Sequence, residues 1–147
     1  MNDYEKGWVE ALIDSEGSFC ITPIYRKYKD RTYVSANIIL EITNTDKQFL
    51  EKGASIIGGT ILDEHPHVRY LHDGRTIFGY KPVFILKLYP SALRKFLDKI
   101  TLVVKEKHRK IVLEALTFTA SRRKKHGGEL LRLSKALKQL NGRRVQE

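Results

Sequence analysis

The period of the apolar positions changes repeatedly along this chain, and the changes mark its elements. Between Tyr4 and Gly17 the large apolar residues pair at four-residue spacing, Trp8 with Leu12 and Val9 with Ile13, which predicts a helix covered on more than one side. A third stripe, Gly7, Ala11 and Ser15, is small at every step and lets another backbone come close. Gly17 stands where this helix should stop, in the position that takes left-handed dihedrals. Residues 18–28 are rich in strand formers, and Pro23 among them suits an edge strand or a bulge. After a turn over residues 29–32 the pattern becomes strict alternation. Val34, Ala36, Ile38, Leu40 and Ile42 share one face of a half-buried strand, and Tyr33, Ser35, Asn37, Ile39 and Glu41 share the other.

Asn44 or Thr45 is positioned to cap a helix running from Asp46 to about Ile57, and Gly58-Gly59 closes it. A second β-unit follows over residues 60–89, folded about a turn at His72-Asp73-Gly74-Arg75. In its return strand Phe84, Leu86 and Leu88 alternate with Val83, Ile85 and Lys87, which predicts the first set inward and the second outward. Three helical patterns complete the chain: Pro90 to about Ile100, residues 103–119 with Val104, His108, Ile111, Val112, Ala115 and Leu116 on one face, and Glu129–Leu140. This order describes an α+β domain with one four-stranded antiparallel sheet faced by helices, and it contains no internal repeat.

Length and charge sharpen that picture. At 147 residues the chain fits one domain: residues 1–120 form its body and residues 121–147 a basic, helical C-terminal extension of it. The net charge is +10, and the last 27 residues hold nine Lys or Arg against two acids, so a polyanion, most simply nucleic acid, is the expected partner. A single cysteine, Cys20, excludes an internal disulfide. The first residues show no leader pattern, and no apolar run approaches the roughly 20 residues of a membrane span. An intracellular protein that is neither secreted nor membrane-bound is expected, in a prokaryotic cytoplasm or nucleoid or in an organelle that encodes it. The five histidines and one cysteine lack paired ligand spacing, so zinc is not expected.

Two carboxylates, Asp14 and Glu16, end the first helix. Acids at a helix C-terminus are disfavoured by about 0.3–1 kcal/mol each, so either a cation sits below them, and Mg²⁺ suits carboxylate oxygens, or this is an ordinary core helix whose Asp and Glu are solvated in the turn, the reading that spacing alone favours. Val9 to Gly17 resembles the nine-residue LAGLIDADG motif of homing endonucleases, in the variant with Glu as its last acid; Glu10 and Ala11 are its departures, and Ser18-Phe19 begins the usual following strand. The resemblance extends to the αββαββα order over residues 4–118, the LAGLIDADG half-saddle.

From the resemblance follow a homodimer joined through Gly7, Trp8, Ala11, Leu12 and Ser15, and a metal site (Mg²⁺ or another divalent ion) using Glu16 with the carbonyl of Ser15. Lys105, Asn44 and Gln48 would be further catalytic residues by position. It also implies cleavage of double-stranded DNA at a long, near-palindromic site with short 3′ overhangs, by an intron-encoded enzyme. Given that fold, the alternation puts Ser18, Cys20, Thr22, Ile24 and Arg26, then Tyr33, Ser35, Asn37, Ile39 and Glu41, on a surface able to read the major groove. Lys27, Lys29 and Arg31 at the tip, Arg69, Arg75, Lys81 and Lys87 from the second unit, and Arg122, Arg123, Lys124 and Lys125 would add cationic contacts. An intron RNA maturase and a DNA-binding protein without cleavage are the alternatives.

Overall fold

The computed structural model describes residues 1–64, 69–70, 72–77, 82–119 and 126–142. Helix α1 (Asp3–Glu16) starts with a capping box: the Asn2 side chain accepts from the Glu5 amide at 2.8 Å, and the Glu5 carboxylate accepts from the Asn2 amide at 3.0 Å. It runs into β1 (Gly17–Tyr28) with no loop between them. Gly17 is extended, with φ −78°, not left-handed as the sequence suggests. Glycine serves there because a Cβ would lie 2.6 Å from the carbonyl oxygen of Ile13. What the position requires is space.

Strand β1 pairs antiparallel with β2 (Arg31–Asn44) in unbroken register from Gly17↔Ile42 to Tyr28↔Arg31. The turn is two residues, Lys29 and Asp30, with Lys29 at φ +53°. Asp46, not Asn44 or Thr45, caps α2 (Lys47–Ile57): its carboxylate accepts from the amides of Gln48 and Phe49. Asn44 instead accepts from the Asp46 amide and shapes the approach to the cap.

The second β-unit divides. Strand β3 (Thr60–Glu64) and the later β6 (Val83–Leu88) join the main sheet in the order β1-β2-β6-β3, while β4 (Arg69–Tyr70) and β5 (Thr76–Ile77) pair only with each other. Helix α3 (Pro90–Phe96) ends in a 3₁₀ turn, Leu97–Lys99. Helix α4 (Glu106–Thr119) begins three residues later than its pattern suggests, and α5 (Gly127–Leu140) follows.

Alternation sorts the sheet into two faces. Phe19, Ile21, Ile38, Leu40, Ile42, Leu86 and Leu88 are buried inward against Val9, Leu12, Ile13, Leu50, Leu93 and Leu116. Two positions depart from the sequence reading. Ile85 faces outward yet is buried, in register between Thr43 and Leu62, and Phe84 is only half-buried. Val104, read as part of a helix face, is 72% exposed because residues 103–105 lie before α4.

Helix α5 closes the sheet's open edge. Leu130, Leu133 and Leu137 enter the core, the buried Ser134 hydroxyl donates to the Ile21 carbonyl at 2.8 Å, and Asn141 donates to the Phe19 carbonyl at 3.3 Å. Covering an edge strand in this way removes a template for unwanted pairing. Pro23, two residues beyond Ile21, falls on the same alternation, so its missing amide belongs to that edge. Ser134→Ala is expected to lower the unfolding free energy by about 1 kcal/mol, the net value of one hydrogen bond. Urea unfolding at unchanged slope measures it.

Candidate active site and nucleic-acid interface

The site begins at the C-terminal end of α1, where the last turn holds no basic residue. Asp14 is tied to the far end of the chain. Its carboxylate accepts from the backbone amides of Val103 at 2.7 Å, Val104 at 3.2 Å and Lys105 at 3.0 Å, which fixes the segment leading into α4. That segment places the Lys105 ammonium under the helix end, donating to the carbonyls of Ile13, at 3.1 Å, and Gly17. The chain thus supplies a cation at this helix end itself, against the negative pole of the dipole. Burial pushes the Lys105 ammonium below its ordinary range, and the charges of Asp14 and Glu16 pull the other way.

Glu16 is exposed and free of that staple. It lines a cavity of about 290 Å³ with Thr43, Asn44, Thr45 and Val83. The structure therefore brings Glu16 and Asn44 together at the junction of α1, β1 and the end of β2, with Lys105 packed under the same helix end. Asn44 spends its side-chain oxygen on the Asp46 amide, which leaves its NH₂ as a donor. Gln48 is exposed on the first turn of α2 and does not line this cavity. Thr43 and Val83 were missed in the sequence, although Thr43 shares its alternation with Glu41 and could have been found by it.

Of the five residues proposed to join two copies, Gly7, Ala11 and Ser15 are exposed along one stripe of α1. A Cβ at Gly7 would meet nothing within 4 Å, so no contact inside the chain requires glycine there. The Ser15 hydroxyl turns back onto the Ala11 carbonyl at 2.8 Å and keeps the stripe smooth. Trp8 is half-buried, edge-on to Phe49 at 5.2 Å between centroids, with the Lys52 ammonium over its ring at 4.7 Å. Leu12 is a correction: it is 2% exposed within the chain's own core and is not available to a second copy.

The outer face of β1 and β2 forms a ladder of directly opposed pairs. From the Glu16 end outward these are Ser18·Glu41, Cys20·Ile39, Thr22·Asn37, Ile24·Ser35 and Arg26·Tyr33. Every residue of that set is exposed or half-buried. Beyond the ladder lie the exposed cations Lys27, Lys29 and Arg31, with Tyr25 and Tyr28 also exposed. Hydroxyls, an amide, a carboxylate and apolar groups on a flat twisted face, ending in a cationic tip, match what duplex recognition needs: base edges read in the middle, phosphates held at the rim.

From the second unit, Lys87 sits on β6 beside Glu41, with Nζ 3.3 Å from Oε1. Arg75 is held by Asp73, its Nε donating to Oδ2 at 2.6 Å, so that charge is locally balanced. Lys81, Arg122, Arg123, Lys124 and Lys125, and the side chain of Arg69, lie outside the described residues. Among the described residues no group of three or more His, Cys, Asp or Glu could hold a metal ion, and no helix is long and apolar enough to cross a membrane.

No family model matches the chain, and no curated protein matches it. Solved structures do. An archaeal intron-encoded homing endonuclease, I-Vdi141I, complexed with DNA, superposes with a TM-score of 0.61 at 19% identity, covering 99% of this chain and 87% of that one. The group I intron-encoded homing endonuclease I-CeuI, complexed with DNA, gives 0.64 at 13% identity over 99% and 71%. The LAGLIDADG homing endonuclease I-SmaMI, bound to cleaved DNA, gives 0.58 at 21% identity over 89% of this chain and 42% of its own, so this chain spans less than half of that protein. The fold is that of the LAGLIDADG homing endonucleases.

Two predictions follow from the helix-end geometry. Asp14→Asn is expected to destabilise the protein by about 1.5–3 kcal/mol, because an amide replaces a carboxylate that three backbone amides share; thermal unfolding of the two proteins measures it. The second concerns Glu106, whose carboxyl is lowered to about 2, first by its hydrogen bond with Arg109 and then by the Leu102 amide. A depressed folded-state value stabilises above the unfolded value near 4.5 and is lost as pH falls toward 2. Glu106→Gln should flatten the stability–pH curve in that window alone, read from urea midpoints between pH 5 and pH 2.

Proposed function

We propose that this chain is a homodimeric, divalent-metal-dependent, site-specific DNA endonuclease, encoded, as the archaeal neighbour is, within an intron. One observation carries the reading. Glu16 stands exposed at the end of α1, beside a smooth small-residue stripe and at the head of the outer-face ladder, lining an open cavity and, among the described residues, engaged only through its charge with Lys105. The shared fold with endonucleases solved on DNA supports it.

The stripe of Gly7, Ala11 and Ser15 lets two copies of α1 cross closely, bringing one Glu16 from each copy to the dyad. A single chain offers one free carboxylate there, since Asp14 is committed to three amides. Two chains offer two, with the carbonyl of Ser15 as a further oxygen, and that donor set fits Mg²⁺. When bound, the metal supplies charge neutralisation at the scissile phosphate and lowers the pKa of a water. The chain's own groups do the rest. The ladder faces seat the duplex through its major groove on either side of the dyad, and the tip cations hold its phosphates. Asn44 donates from its NH₂ toward the cleavage position, and Lys105 holds positive charge beside Glu16.

That I-SmaMI is more than twice as long as the matched part of this chain agrees with two such units making one working protein. A ladder of about 10 residues at about 3.3 Å each spans about 10 base pairs, so a dimer reads about 20, nearly palindromic.

The test is cleavage of a randomised, near-palindromic duplex library with Mg²⁺, alongside Ca²⁺ and Glu16→Gln. Wild-type protein should enrich cut products at one site, and Glu16→Gln should bind the same site but cut it on the order of a thousandfold more slowly. Binding without cutting in any metal, or RNA outcompeting the duplex at matched salt, would refute the reading. Sedimentation should give twice the chain mass of 17.0 kDa, and Ala11→Glu should return it to that mass and abolish cutting.

A further inference from the structure

One carboxylate sits where a polyanion-binding face should have none. Glu41 lies on the first rung of the outer ladder, half-buried, opposite Ser18 on β1 and Lys87 on β6. Lys87 is in turn opposite Thr60 on β3, so a single rung of polar residues, Ser18, Glu41, Lys87 and Thr60, crosses all four strands. It is the outer-face rung at the start of β1, two residues from Glu16. The two charged groups meet at 3.3 Å and keep partial exposure, 26% for the Lys87 side chain and 38% for that of Glu41.

A free acid on such a face would repel every phosphate near it, and a free lysine would act as a phosphate contact. Joined, they do neither. The ammonium stands against Oε1 as an ion pair and keeps donors to spare; the carboxylate keeps its other oxygen as an acceptor. The exposed side of the pair is therefore a donor next to an acceptor, held in fixed order by the register of β2 and β6.

The major-groove edges of DNA sort against that pattern. A G·C pair offers two neighbouring acceptors, N7 and O6 of guanine, followed by the N4 donor of cytosine. An A·T pair alternates acceptor, donor, acceptor and ends in a methyl group, so an ammonium on its purine N7 finds the N6 donor where guanine has a second acceptor, and the two side chains make one hydrogen bond fewer than on G·C. Resting on the duplex-binding reading above, we propose that the Glu41–Lys87 pair reads a G·C base pair in each half-site, Lys87 on guanine and Glu41 on cytosine, on the side nearest the cut. At about 3.4 Å per residue and about 3.4 Å per base pair, successive rungs lie about two pairs apart. The G·C requirement should therefore stand on the dyad side of the pairs met by Cys20·Ile39 and Thr22·Asn37.

The experiment is selection of bound duplexes from a randomised library by wild-type, Glu41→Gln and doubly substituted Glu41→Gln/Lys87→Met proteins, with the folded state of each checked by circular dichroism. Affinity for the winning site is then measured across a salt series. Wild-type protein should fix G·C at one position per half-site, equally distant from the centre. Glu41→Gln should lose that preference by about tenfold and turn toward adenine, which an amide pairs with, leaving other positions unchanged. The double variant, which removes the lysine without leaving a free acid, should lose the same preference without altering the slope of log affinity against log salt, while Lys27→Met should make the slope shallower by about 1. An enriched site whose every position is indifferent to Glu41→Gln overturns the proposal, as does a double variant weakened on all sequences alike with a shallower slope. If wild-type protein enriches no duplex at all, the duplex-binding reading itself fails, a result distinguishable from either of those.

Discussion

Everything at the candidate active site depends on one carboxylate that takes no direct part in it. Asp14 accepts three consecutive backbone amides from residues about 90 positions away, and so pins the segment before α4 beneath the end of α1. Without that staple nothing would hold Lys105 against the carbonyls of Ile13 and Gly17. The two acids of the motif are thereby separated by role. Asp14 is taken up by three backbone amides, and Glu16, the last residue of the helix, is left with open space in front of it.

A single sheet carries both the core and the candidate recognition surface. Its inner face holds the core, and its outer face presents one side chain per strand at each rung, in unbroken register over twelve pairs between β1 and β2. A one-residue slip would exchange the two faces, so the apolar inner set fixes which residues face outward. Helix α5 guards the open edge by giving its own donors, Ser134 and Asn141, to β1 carbonyls. The result is a plate covered along its β1 edge and ending in a cationic tip.

The exposed stripe of α1 has a different logic. A helix glycine costs about 1 kcal/mol against alanine, and Gly7 has no neighbour within the chain that explains it. Burial of Leu12 shows that α1 serves its own core with one face while Gly7, Ala11 and Ser15 stay bare on another. That division is what a helix needs if it is to pack inside one domain and against a second copy together.

The sequence by itself determined the order of elements, the two faces of each long strand, the end of α1 and the pair of acids there. These follow from period and local chemistry, and both act between near neighbours. Tertiary structure decided the rest. That Val104 is exposed and that α4 starts at Glu106 go with Asp14 meeting residues 103–105, and Leu12 belongs to the core because it lies against Gly53 of α2; no local pattern encodes either contact. Asp46 displaced Asn44 as the cap by reaching two amides, and Asn44 was thereby placed toward Glu16. The departure of β4 and β5 from the main sheet, and the rung that joins Ser18, Glu41, Lys87 and Thr60, are set by strand order and register. Alternation says which face a residue takes, and only the pairing of distant strands says which residues stand beside it.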